Sequence, residues 1–184
     1  MALTSSIQPY DPAWPGKYAE AAARLATVFG TALVELHHVG STAVPELAAK
    51  PEIDLLAIVE TAGVPESWTK GFGDLGYRRG GDLSPGHRFF KRDVDGVRTH
   101  KLHICDQGHP SIDGMLEFRD HLRRDPTDRA GYQALKLRLE RENTGGIREY
   151  LESKAPFING LLARIERERR SSKSHPTRHP RPCA

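Results

Sequence analysis

At 184 residues the chain has the size of one domain with a real hydrophobic core, and 38% hydrophobic with 28% charged residues is the composition of a soluble globular protein. No run approaches the roughly 18 apolar residues of a membrane span, and two cysteines, Cys105 and Cys183, give no disulfide framework; a cytoplasmic protein without a signal peptide is expected. The formal charge of +3 resides in residues 171–184, where Lys173, Arg178 and Arg181 face no acid, so the rest of the chain is neutral and nucleic acid is not the expected partner.

Asp11-Pro12 reads as a helix start. Trp14, Tyr18, Ala22, Leu25 and Phe29 then recur at helical spacing up to Gly30. A strand over Leu33–Val39 follows, with Glu35 and His37 on one face and His38 on the other, an alternation that argues against zinc held by the His-His pair. The chain turns at Gly40-Ser41-Thr42, and a short helical piece over residues 44–48 leads to a second strand at Glu52–Val59. Glycine permits a sharp turn there, and free N–H groups at a helix start suit a phosphate. Glu52 and Asp54, at i and i+2, point to one face of the second strand beside that turn, and carboxylates next to an anion site are how proteins hold Mg²⁺ with a nucleotide. Lys50, ahead of Pro51, either neutralises a phosphate or pairs with Glu46 or Glu52.

A helix over residues 65–75, a short strand Tyr77–Arg79 and a loop at Gly80–Gly86 come next. Asp95-Gly96 then joins strands Arg88–Val94 and Val97–Cys105 as a hairpin. Strand alternation separates His100 from His103. Ile112, Met115, Leu116, Phe118 and Leu122 form one helical stripe, with Arg119-Asp120 embedded in it as a buried brace or a functional pair. Asp125-Pro126 opens another helix. A last one runs from Ile147 to Ile165, ending or kinking at Pro156. Lys136 reads as solvated and Lys154 as a cation facing a ligand. Residues 171–184 lack apolar content and read as a disordered basic tail behind a single domain of residues 1–170.

The run HHVGSTAVPELAAKPEID, with THKLHIC, FRDHLR, YQALK and ESKAPFI further on, resembles the GrpB family within the polymerase-beta-like nucleotidyltransferase superfamily. The resemblance extends from about Asp11 to Ile165. It implies a mixed α/β sheet with packed helices and a C-terminal helical extension, and transfer from a nucleoside triphosphate to a small-molecule acceptor. Gly40, Ser41 and Thr42 would hold the triphosphate, Glu52 and Asp54 would bind Mg²⁺, and Lys50, Lys91 and Lys154 would offset phosphate charge. The superfamily draws a third acid from a later strand; His103 occupies what looks like that place, as ligand or general base with a near-neutral pKa. GrpB-like domains are also found fused to dephospho-CoA kinase, so the alternative is a non-catalytic module binding a nucleotide or coenzyme A-linked ligand beside a partner enzyme.

Overall fold

The computed structural model describes residues 5–60 and 63–173. Five strands, β1 (Leu33–Val39), β2 (Ile53–Val59), β3 (Tyr77–Arg79), β4 (His87–Val94) and β5 (Val97–Asp106), form one sheet in the order β1-β2-β5-β4-β3. β2 and β5 run parallel at the centre, and the other pairs are antiparallel. A parallel pair needs a crossover, supplied by α2 (Glu66–Asp74), β3 and β4. The fold is the expected mixed sheet with packed helices.

Because β2 is central, both its faces are buried, which explains its apolar run Leu55–Val59 after Asp54. One face carries Ile53, Leu55, Ala57 and Val59 with Phe90, Leu102 and Ile104 of the neighbouring strands, under α1 (Trp14–Phe29) and α2. Trp14, Leu25 and Phe29 of α1 pack there with Trp68 and Phe72 of α2, and Phe72 makes edge-on contacts with Phe29 and Phe90 at 5.1 and 5.0 Å. The opposite face carries Val39, Leu56, Ile58 and Cys105 under Ile112, Met115 and Leu116 of α3 (Ser111–Arg124). α4 (Pro126–Glu142) and α5 (Ile147–Lys173) extend that layer toward the Gly40 turn, where Val44 and Leu47 meet Leu122, Tyr132 and Leu161.

Several expected local details differ. The residues after Gly40 make a 3₁₀ turn over Ser41–Ala43, not a helix over residues 44–48. Pro45 keeps Val44 extended, and Glu46 sits at φ +65°, outside the helical region. α1 begins three residues after Asp11, whose Oδ1 accepts the N–H of Ala13 at 2.8 Å. α5 passes through Pro156 without ending: Pro156 and Glu152 are both exposed, so the carbonyl that the proline leaves unbonded meets water. It runs on to Lys173, three residues into the expected tail; residues 174–184 lie outside the described residues.

Candidate functional site

Gly40 closes β1 at φ +70°, ψ −172°, a conformation essentially confined to glycine. The glycine is also required sterically, since a Cβ there would lie 2.3 Å from Oδ2 of Asp54. The turn and Asp54 are thus packed together as the sequence spacing implied. Val39 is the Cα partner of Asp54 on β1, and Lys101 is its partner on β5. Parallel register puts paired residues on one face, so Asp54 and Lys101 project side by side.

Lys101 is the residue that the sequence reading passed over. Its ammonium lies 2.5 Å from Oε2 of Glu52 and 3.7 Å from Oδ1 of Asp54. Burial works against that charge, but Asp54 and Glu52 outweigh it and hold the lysine pKa above its ordinary value. Burial, opposed by Lys101, raises the Asp54 carboxyl. Glu52 is buried just ahead of β2 and also accepts from the Ser5 hydroxyl at 3.3 Å. The odd-residue alternation of β5, which puts Lys101 on the face of His103, was the available signal.

The place level with Asp54 belongs to Lys101, and His103 is one step farther along, opposite Leu56. His103 Nδ1 is 2.9 Å from Nε2 of His87, and its ring lies against Phe89. Burial, followed by the nearby His87 and Lys101, depresses its pKa to about 3. It is therefore a neutral, packed side chain near pH 7, contrary to the expectation of a general base titrating near neutrality. His100 faces the other side of the sheet, paired with Ile53.

Thr42 also leaves the expected ligand set. Its hydroxyl donates to the Glu52 carbonyl at 3.1 Å, and His38 Nε2 lies 3.0 Å away. The hydroxyl has a single proton, so His38 must donate, which fixes its Nε2–H tautomer. Burial first, then Arg123 and Arg119, lowers the His38 pKa to about 4 and keeps it neutral. These bonds brace the turn to the entry of β2. Arg119 adds to the brace, donating to the His38 carbonyl at 3.0 Å while held by Asp120. Ser41 is half-buried, within hydrogen-bonding reach of the Tyr132 hydroxyl.

α4 and α5 contribute the opposing wall. Lys50 and Lys154 lie 4.4 and 4.5 Å from the ring centroid of Tyr150, a residue that sequence reasoning missed despite its i, i+4 spacing from Lys154. Burial lowers the Lys50 pKa, and Glu52 and Glu140 act against that. Burial and then Lys101 bring Lys154 down to about 8, with Asp54 opposing. Lys136 corrects the expectation of a solvated lysine: it is buried, donates to the Ala48 carbonyl, and burial followed by Lys154 lowers it to about 7. Lys91 is the cross-strand partner of Lys101 and shares its face.

The fit of Mg²⁺ is decided by charge and space. Between the two carboxylates, where a divalent ion would stand, the chain places its own ammonium group, and Lys50 and Lys154 flank the same carboxylates. With Glu140 beside Lys50, three cations face three acids, so the chain balances these carboxylates with its own ammonium groups. As these residues stand, they do not fit Mg²⁺.

A family model described as GrpB protein matches residues 4–164. The chain is 34% identical over 150 residues to the UPF0157 protein YqkA of Bacillus subtilis, covering 81% of this chain but only 43% of that one. A UPF0157 protein of Streptomyces coelicolor is 32% identical over 169 residues, 92% of this chain and 88% of the relative. The dephospho-CoA kinase of Mycolicibacterium paratuberculosis aligns at 29% identity over 86% of this chain and 45% of its own length. Among solved structures, the conserved protein GrpB from Enterococcus faecalis superposes with TM-score 0.81 at 32% identity, covering 89% of this chain and 98% of that one. The Cid1 poly(U) polymerase shares the fold at TM-score 0.51 and 13% identity, over 80% of this chain and 49% of its own.

Proposed function

The chain belongs to the GrpB family, and from that premise we propose that it binds a nucleotide or a similar phosphate-bearing small molecule without a metal, in the cleft between the Gly40 turn and α5. One observation carries the reading: Lys101 stands level with Asp54 in the parallel register and pairs with both Glu52 and Asp54. Lys50 and Lys154 stand beside that cluster as further cations for a phosphate, and the Ser41–Tyr132 hydroxyl pair can donate to it. Nucleotide is the favoured class because the Cid1 structure of the same fold holds magnesium and 3'-dATP. The kinase relatives make a coenzyme A-linked nucleotide the companion ligand to test.

Nucleotidyl transfer to a small acceptor is the second reading. Asp54 favours it, keeping 19% of its side chain exposed beside Gly40 and Ser41, where it could take a proton from an acceptor. Calorimetry with ATP, CTP and dephospho-CoA, in chelator and in Mg²⁺, separates the two. Binding in chelator that weakens about tenfold in Lys154→Met, the loss of one charge-assisted contact, supports the metal-free site. Binding seen only with Mg²⁺, with turnover abolished by Asp54→Asn, replaces it with the transferase.

A further inference from the structure

On the opposite face of the sheet from Asp54, α1 and the strand ends enclose a pocket of about 250 Å³. Ile53, the neighbour of Asp54 on β2, forms part of its floor, so it is a separate chamber across one strand from the first cleft. Its apolar wall is Ile53 and Leu75, and its polar wall is Tyr77, Arg92, His100 and Arg24.

Two features are left unmatched by the protein itself. Tyr77 is 5% exposed, yet its hydroxyl has no hydrogen-bond partner among the described residues. Native folds rarely leave a buried hydroxyl unpaired, so the group is suited to a partner from outside. Arg92 is the cross-strand partner of Tyr77 and lies along Gly76, where a Cβ would approach its Nε to 3.4 Å. Arg24 lines the same pocket from α1, near enough to act electrostatically on the phenol. Among the described residues neither guanidinium has an ion-pair partner, whereas Lys17 at the rim is tied to Asp11 at 3.1 Å.

We propose that this pocket binds a small organic anion, a carboxylate or phosphate monoester on a short apolar stem, with Arg24 and Arg92 on the charged end, the Tyr77 hydroxyl donating to it, and Ile53 and Leu75 against the stem. The volume lies below the roughly 300–1,000 Å³ of pockets for drug-sized ligands, which suits a ligand smaller than a nucleotide. His100 fits the same chemistry. Its Nδ1 engages the Thr99 hydroxyl at 2.9 Å, and burial with Arg92 nearby keeps it neutral down to about pH 4, so it adds a polar ring edge without competing for the anion. Glu20, on the exposed rim, sets the limit on the other side: a second negative charge on the stem would face its carboxylate.

The probes are phenyl phosphate, phenylacetate and the uncharged benzyl alcohol, each at millimolar concentration, read by thermal shift and calorimetry on the full chain. At least one anion should raise Tm by several degrees and the alcohol should not; which anion does so separates phosphate from carboxylate. Arg92→Gln and Arg24→Gln, both at solvent-reachable positions, should each weaken binding tenfold or more. Tyr77→Phe should weaken the anion while raising the Tm of the ligand-free protein, because it removes the unpaired hydroxyl. No response to either anion, or a response that survives Arg92→Gln, would overturn the proposal.

Discussion

Replacing Gly40 by alanine probes the junction of turn and carboxylate. Two costs arise at once. The backbone at φ +70°, ψ −172° is one that an L-residue adopts at a penalty of about 1–3 kcal/mol. The new methyl would also lie 2.3 Å from Oδ2 and 2.9 Å from Cγ of Asp54, closer than atoms pack, so Asp54 must swing away from Lys101. Disturbing a buried charge pair adds ~1–2 kcal/mol, for a total of ~2–5 kcal/mol in urea denaturation. The two costs separate in a double-mutant cycle with Asp54→Ala, which removes the contacts with Oδ2 and Cγ, keeps only the Cβ at 3.0 Å, and leaves the backbone strain. The cycle should therefore return a coupling of ~1–2 kcal/mol, with the double variant less destabilised than the sum of the singles. A loss below ~1 kcal/mol in Gly40→Ala, or strictly additive effects, would refute the stated contact between turn and carboxylate.

Removing the cation rather than the anion is the converse test. Lys101→Met strands Glu52 and Asp54 and should cost ~3–5 kcal/mol at pH 7 by chemical denaturation. Asp54, whose carboxyl burial already raises, then loses the cation that opposes that rise, so the deficit should shrink as pH falls into the carboxylate range; a pH-independent deficit contradicts the ion-pair account. Lys136 is depressed to about 7 from 10.5, so the unfolded chain holds its proton more tightly and this residue should contribute ~2 kcal/mol to a rise in stability between pH 7 and 9, a share that Lys136→Met should remove while the contribution of Lys154 stays. On the acid side His38, His100 and His103 are held near 4, 4 and 3, so their stabilisation is complete above 6.5 and is lost as pH falls toward those values. Unfolding near pH 5 should accordingly take up about three protons through these residues, and His38→Asn should remove about one of them; an unchanged uptake would place His38 outside the buried set.

Much of this architecture was legible because the relevant signals are local. Asp95-Gly96 marked the β4–β5 hairpin, the spacing of Glu52 and Asp54 after the turn marked a second strand beside it, and Gly40 marked a turn whose steric reason proved to be Asp54. What stayed illegible depends on register between distant segments. Whether Lys101 or His103 stands level with Asp54 is fixed by how β5 slides against β2, a pairing of residues 47 positions apart in the chain. Burial of Lys136 was hidden for a similar reason. Its helix has charges on most sides, and only the docking of α4 on the Ala48 carbonyl shows which side faces inward. Thr42 reads from sequence as a free hydroxyl at a phosphate turn, but the fold satisfies it with His38 and Glu52. The aromatic wall at Tyr150 likewise emerges only when α5 closes over Lys50.

The central claim is that Lys101 takes the place of a divalent cation between Glu52 and Asp54. It is tested most directly by titrating Mg²⁺ into the ligand-free protein and into Lys101→Asp under identical calorimetric conditions. The wild-type chain should give no binding heat at millimolar Mg²⁺, whereas Lys101→Asp, which swaps the ammonium for a third carboxylate at the same register, should bind the ion with about one equivalent. Saturable Mg²⁺ binding by the wild-type chain that Asp54→Asn abolishes would contradict the account.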